Sequence, residues 1–270
     1  MDYELLRNKA RSIRRRTFEM VIGAGKGHLG GSLSCVEILV ALYHGKILRF
    51  DPKDPCWEER DIFIMSKGHS NNSLYVVLAD VGFYDPAMLK SFSKDGSIFS
   101  QHCDMQVPGV ELITGSLGHG LGVAAGIGLG YKLDKRENMI FVMMGDGECQ
   151  EGSVWEAATF AAHHRLDALV ALVDRNGLGS EDFTEKTAPL EPFQDKWKAF
   201  GWDVRTVDGH SVEELVTVLE GCRTRRDGRP LVIIANTIKG KGIRSLENQP
   251  RAHHTVPKGE EIEKARQELS

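Results

Sequence analysis

Apolar residues recur at helical spacing over residues 3–22, where Leu5, Leu6, Ala10, Ile13, Thr17 and Met20 alternate with basic residues. The cluster Gly23-Ala-Gly-Lys-Gly-His-Leu-Gly-Gly31 ends that helix, and Ser32 or Ser34 is expected to cap a second apolar helix through Val36, Leu39 and Leu42. Continuous apolar runs of strand length follow at 61–65, 139–144 and 168–173, with further strands at 202–207 and 230–235. Between them the pattern predicts helices through Leu74, Val77 and Leu78, over 153–164, from Pro192 to Phe200, and over 212–222. Strands buried on both faces and alternating with helices describe an α/β protein: a doubly wound, mostly parallel sheet with helices on both faces. The stretch 177–192 and the tail 240–260 lack periodicity. One domain over 1–270 is expected, with 240–270 a peripheral tail.

Composition narrows the class. With 34 Lys+Arg against 38 Asp+Glu the net charge is −4, which argues against a general nucleic-acid binder. No stretch is long or apolar enough to span a bilayer, and the basic N-terminus has no apolar core behind it, unlike a leader peptide. Five cysteines without a CxxC pair read as reduced cytoplasmic thiols rather than a disulfide frame or zinc site. Glycine is 29 of 270 residues, with five in 23–31 and eleven in 109–152. Those two segments need bare backbone, for positive φ or for close approach.

Ligands of an open parallel sheet sit at the carboxyl ends of its strands. Two predicted strands end in oxygen donors: Met144-Gly-Asp-Gly-Glu148 and Val173-Asp-Arg-Asn-Gly177. Asp146 and Asn176 are separated by one strand–helix–strand crossover, so neighbouring strands would bring a carboxylate and an amide oxygen to one point. With a backbone carbonyl they suit Mg²⁺, which can also hold phosphate oxygens. Gly145 and Gly147 would let backbone approach a diphosphate, and a helix starting near Ser153 would aim its N-terminus there. Taken singly, each motif is ordinary turn punctuation. Gly25-Lys-Gly-His-Leu-Gly30 satisfies a dinucleotide-binding GxGxxG, but it follows a helix where that motif requires a strand.

Gly145-Asp-Gly147 with Asn176 resembles the thiamin-diphosphate fingerprint, and Gly145-Asp-Gly-Glu-Cys-Gln-Glu-Gly-Ser-Val-Trp-Glu-Ala-Ala158 is similar to transketolases in detail. Gly27-His-Leu-Gly-Gly31, Ser66-Lys-Gly-His69, Pro108-Gly-Val-Glu111, Thr114–Gly120, Leu190-Glu-Pro192 and Thr237-Ile-Lys-Gly-Lys-Gly242 follow in the family's order, so the resemblance covers roughly 5–258. It implies thiamin diphosphate with Mg²⁺, or another divalent cation such as Ca²⁺ or Mn²⁺, held by Asp146, Asn176 and the carbonyl of Leu178. Catalytic roles fall to His28, His102 and a tail histidine best matched by His253, with His254 the alternative. Imidazoles titrate near neutrality and can move protons on sugar hydroxyls. Cofactor contacts fall to His69, Gly115, Ser116, Leu117, Gly145, Asp146, Gly147, Asn176 and His253, while Glu151 matches a carboxylate at the subunit interface. His44, His163, His164 and His210 read as structural.

In the family, the glutamate that promotes the imino tautomer of the aminopyrimidine lies in a second domain, as do the groups gripping substrate phosphate. The resemblance therefore implies the N-terminal subunit of a split transketolase, completed by a separate C-terminal subunit in an α2β2 heterotetramer acting on sugars or sugar phosphates in the cytoplasm. Two positions depart from the family pattern: Ser180 stands where an apolar residue packs against the thiazolium, and His119 where glutamine is common. The same-cofactor rival is the α-subunit of a 2-oxo-acid dehydrogenase, and the rival of another class is a non-catalytic thiamin-diphosphate-binding subunit. The histidine set with Pro108-Gly-Val-Glu111 favours transketolase over the first, and the complete Asp146/Asn176 pair disfavours the second.

Overall fold

The computed structural model describes every residue except Arg226. Five strands, β1 (Ile62–Met65), β2 (Ile140–Gly145), β3 (Leu169–Arg175), β4 (Asp203–Asp208) and β5 (Leu231–Asn236), form one sheet in the order β1-β2-β3-β5-β4. Every pairing is parallel. The expected doubly wound sheet is thus present, parallel throughout among the described residues.

Side-chain alternation splits the core in two. Phe63, Met65, Phe141, Met143, Val170, Leu172 and Ile233 face one layer, which holds α1 (Tyr3–Ala24), α2 (Leu29–Ser34), α3 (Val36–Tyr43), α4 (Asn71–Asp80) and the later α9 (Val212–Glu220). Ile62, Ile64, Ile140, Val142, Ala171 and Val232 face the other, with α5 (Gly120–Leu133), α6 (Gly152–His163) and α8 (Phe193–Ala199). Both faces being covered explains why these strands read as unbroken apolar runs. The edge strand β4 is more exposed and correspondingly polar, with Arg205 and Thr206 both exposed.

Three expectations change. Neither Ser32 nor Ser34 caps a helix: both lie inside α2, which starts after His28, and only Cys35 separates α2 from α3. Helical glycines make this possible, because a Cβ on Gly30 would sit 2.5 Å from the Ala252 carbonyl oxygen and one on Gly31 2.6 Å from Ser70 Oγ. The stretch 177–192 contains a short helix, α7 (Thr184–Thr187). The segment 240–270 packs into the body of the protein: Ile243, Leu246, Ala252 and Ala265 are buried, and α10 (Glu260–Glu268) is tied to α1 by Arg266 donating to Glu19 at 2.8 Å. Over 240–260 the apolar residues show no period, yet Ile243, Leu246 and Ala252 join the core, while Ile262, Ala265 and Leu269 fall at helical spacing along α10.

The glycine-rich α5 forms despite the cost of about 0.5–1 kcal/mol per interior glycine. At Gly120 the reason is contact, since a Cβ would lie 2.2 Å from Ser66 Oγ; at Gly126 and Gly130 a Cβ would meet nothing. Among the described residues no helix is long and apolar enough to cross a membrane.

Candidate active site at the carboxyl ends of the strands

β2 and β3 are neighbours in register Gly145↔Asp174, so their carboxyl ends deliver Asp146 and Asn176 to one place. Asp146 is almost wholly buried. Its Oδ1 accepts from the Gly147 amide at 2.8 Å, and its Oδ2 accepts from the Gly177 amide at 2.6 Å and from Arg175 Nη1 at 3.1 Å. Burial and the neighbouring Asp174 push the Asp146 carboxyl above its usual range, against the opposing pull of Arg175 and the two amides. Asn176 donates from Nδ2 to Asp174 Oδ2 at 3.2 Å and accepts at Oδ1 from the Leu178 amide at 3.1 Å.

Beneath this pair runs a buried network. Asp174 accepts from Lys67 Nζ, from Thr237 Oγ1, and from Ser34 Oγ at 2.6 Å. Burial alone would raise the Asp174 carboxyl; the Lys67 ammonium reverses that and holds it below its ordinary value. Glu148 is a second buried carboxylate, accepting from Ser66 Oγ, from the Gly118 amide at 2.9 Å and from the Gly145 amide at 3.2 Å. It fastens the loop before α5 to the end of β2.

Above the strand ends lies a cavity of about 340 Å³. It is lined by His28, His69, His102, Gly115, Leu117, Gly145, Asp146, Gly147, Glu151, Asn176, Leu178 and His253 of the expected set. Ser116, exposed between Gly115 and Leu117, does not line it. The histidines form one cluster: His28 lies 5.4 Å from His69, 5.7 Å from His102 and 5.3 Å from His253, ring centre to ring centre. Burial disfavours the charged form of three of them, with His28 pushed down to about 4, His253 to about 3 and His69 well below its ordinary value. His28 Nδ1 is buried without a hydrogen-bond partner among the described residues. Of the two tail histidines, His253 lines the cavity and faces His69 at 4.8 Å, whereas His254 is exposed outside it. His44 lies 3.3 Å from Asp80, and His210 holds Glu37 at 3.0 Å and the Ile238 amide at 2.9 Å, as structural residues. Ser180 lines the cavity and His119 is exposed.

Lysines are what the sequence pattern leaves hidden. Lys239 is buried in the cavity wall, where its ammonium donates to the carbonyls of Leu178, at 3.3 Å, and Gly179, and lies 3.2 Å from His253 Nδ1. No carboxylate pairs with it among the described residues, and burial lowers it to about 8. Lys67 and Lys239 both stand inside family-like motifs, Ser66–His69 and Thr237–Gly242, whose histidine and glycines are the more conspicuous residues.

The donors of the cavity can be matched against a Mg²⁺-diphosphate. A carboxylate, an amide oxygen and a carbonyl are hard oxygen ligands of the kind Mg²⁺ takes. A Cβ on Gly145 would meet no protein atom, so backbone is bare where the cavity opens. A buried, unpaired ammonium calls for an anion. The residues present fit the group. The glycine clusters have a second use as well: Gly118 (φ +84°) lets its loop pass Ser153 Oγ and Glu151, which a Cβ would approach to 2.5 and 2.8 Å. A larger cavity of about 740 Å³ lies beside the edge strand β4 and α9, and contains no histidine.

Known proteins resemble this chain over its whole length. The thiamine diphosphate binding domain of transketolase matches residues 6–270. The 6-deoxy-6-sulfo-D-fructose transketolase subunit SqwG of Clostridium sp. (strain MSTE9) is 42% identical over 261 residues, 96% of this chain and 94% of that one. An apulose-4-phosphate transketolase subunit of Phocaeicola vulgatus is 41% identical over 270 residues, 100% of this chain and 95% of that one. The crystal structure of Campylobacter jejuni transketolase superposes with a TM-score of 0.92 at 31% identity, covering 100% of this chain but 43% of that chain. The chain belongs to the transketolase family and carries its thiamine diphosphate binding domain.

Proposed function

We propose that this chain is the diphosphate-binding subunit of a two-chain transketolase, transferring a two-carbon ketol unit from a ketose or ketose phosphate to an aldose. The supporting observation is the convergence, in one cavity, of Asp146, Asn176, an unpaired Lys239 ammonium and four histidines. Asp146, Asn176 and the Leu178 carbonyl would hold Mg²⁺, with Ca²⁺ or Mn²⁺ as substitutes of the same oxygen preference. Lys239 would turn from the Leu178 carbonyl toward the diphosphate, and His69, Gly115, Leu117, Gly145, Gly147 and Glu151 would complete the cofactor's surroundings. Thiamin diphosphate supplies the nucleophilic carbon and the electron sink that this chemistry needs. His28, His102 and His253, with the first and last held neutral, would accept and return protons at the sugar's hydroxyl and carbonyl oxygens.

Relatives of nearly the same length carry names that make them transketolase subunits, and this supports a separate pyrimidine-binding chain as partner, in an α2β2 assembly. Five free cysteines, four of them buried, suit a reducing cytoplasm. The test is ketol transfer measured with the chain alone and mixed with a separately purified pyrimidine-binding transketolase subunit. Activity only in the mixture is expected. Full activity from the chain alone would overturn the two-chain reading, and no transfer from any ketose by the mixture would overturn the transferase.

A further inference from the structure

The cofactor cavity uses one of two adjacent tail histidines, and the other also faces His28. Gly30 is what lets the tail come so close. A Cβ there would sit 2.5 Å from the Ala252 carbonyl oxygen, so bare backbone is needed where residues 250–254 pack on the start of α2. The Gly240 amide, donating to the Gly30 carbonyl at 3.0 Å, holds the same approach. His28 precedes α2 and is pinned from within, its carbonyl accepting from Ser32 Oγ at 2.8 Å and from Asn72 Nδ2 at 3.3 Å.

Three imidazoles converge as a result. His28 lies 5.3 Å from both His253 and His254, and those two lie 4.5 Å apart, ring centre to ring centre. One ring nitrogen of each is within 4.8 Å of the other two, and among the described residues no other three His, Cys, Asp or Glu side chains are so placed. His28 Nδ1 is buried without a hydrogen-bond partner among the described residues. Burial also favours the neutral rings of His28 and His253, the form that a metal takes. Tetrahedral Zn²⁺ at its usual bond length separates its nitrogen ligands by about 3.3 Å. The exposed His254 ring has the freedom to close that gap and gives an ion its entry from solvent.

The donor set selects the ion. Imidazoles suit Zn²⁺ and its neighbours in the first transition row, whereas Mg²⁺ takes oxygen. We infer that His28, His253 and His254 form a second metal site, for a transition-metal cation of the Zn²⁺ class, separate from the oxygen ligands Asp146, Asn176 and Leu178. Three neutral ligands leave a fourth position for water. The ion takes lone pairs of two histidines assigned above to proton transfer, so it inhibits; this consequence rests on the ketol-transferase reading, while the binding does not. Coordination through either nitrogen of His253 ends its acceptance from Lys239, whose ammonium is left with the carbonyls of Leu178 and Gly179. Lys239 therefore opposes the ion.

The test is calorimetric titration of the full chain with Zn²⁺ in a large excess of Mg²⁺. One ion per wild-type chain is expected, bound at least tenfold more weakly by His254→Ala and more tightly by Lys239→Ala. The adjacent pair His163 and His164 serves as control, and His163→Ala/His164→Ala should bind as the wild type does. Equal affinity in His254→Ala and wild type, or a loss in the control variant instead, would overturn the site. In the mixture with the pyrimidine-binding subunit, Zn²⁺ should inhibit ketol transfer, a zinc-selective chelator should restore it, and His254→Ala should need at least tenfold more Zn²⁺. Full transfer with the ion bound would overturn coordination by His28 and His253. A mixture that transfers nothing while the binding contrast persists would overturn the transferase and leave the metal site standing.

Discussion

The amide of Asn176 donates to Asp174 at 3.2 Å, and Asp174 is in turn held by the buried ammonium of Lys67. An exposed-looking turn residue is thereby aimed by an ion pair in the core, with the Asn176 amide nitrogen turned down and its Oδ1 left for the Leu178 amide or a cation. Lys67→Met would leave Asp174 buried beside hydroxyls and an amide but no cation. Removing one partner of a buried pair costs about 3–5 kcal/mol. Urea unfolding of the purified chain should show that loss; a change below about 1 kcal/mol would mean that the pair is not a structural support.

Asp146→Ala removes the one carboxylate among the expected metal ligands. Mg²⁺-dependent thiamin diphosphate binding should fall by more than about tenfold in titration calorimetry. Unchanged affinity would remove Asp146 from the metal site.

Lys239→Ala removes an ammonium that no carboxylate pairs with among the described residues. Hydrogen bonds to charged groups contribute about 1.5–3 kcal/mol, so cofactor affinity should drop by roughly ten- to a hundredfold. By contrast, His102→Ala should lower kcat far more than cofactor affinity, and wild-type turnover would exclude it from the chemistry.

His28 and His253 bind protons more weakly in the folded chain, at about 4 and about 3, than the ordinary histidine value of 6.5. Between those values the unfolded chain holds more protons, so stability must rise with pH there and be lost as pH falls below 6.5 toward 4. Calorimetric Tm should decline across that window. The decline should be shallower in His28→Asn, and an identical slope in the variant would contradict the assignment.

Two glycines of α5 should respond in opposite ways. Gly120→Ala drives a Cβ to within 2.2 Å of Ser66 Oγ, which serves Glu148, and overpacking of this kind costs about 1–3 kcal/mol. Gly126→Ala meets nothing and should stabilise the purified chain by about 0.5–1 kcal/mol. If it stabilises the chain yet weakens association with the pyrimidine-binding subunit, α5 lies in the interface.

The parallel sheet is legible in the sequence, because strands covered on both faces must be continuously apolar, as 139–144 and 168–173 are. So is the Asp146/Asn176 pair, because one crossover between neighbouring strands fixes where their ends meet. Other features depended on how distant segments pack. Folding puts His253 and not His254 in the cavity wall, since adjacent residues in a stretch without periodicity carry no directional mark. It brings 240–270 into the core, where isolated Ile243, Leu246 and Ala252 find their surfaces. It turns many glycines to protein contacts, Gly30 against Ala252 and Gly120 against Ser66, before any cofactor. Lys239 joins the cavity wall only through the fold, since a lysine reads as solvated until its surroundings bury it.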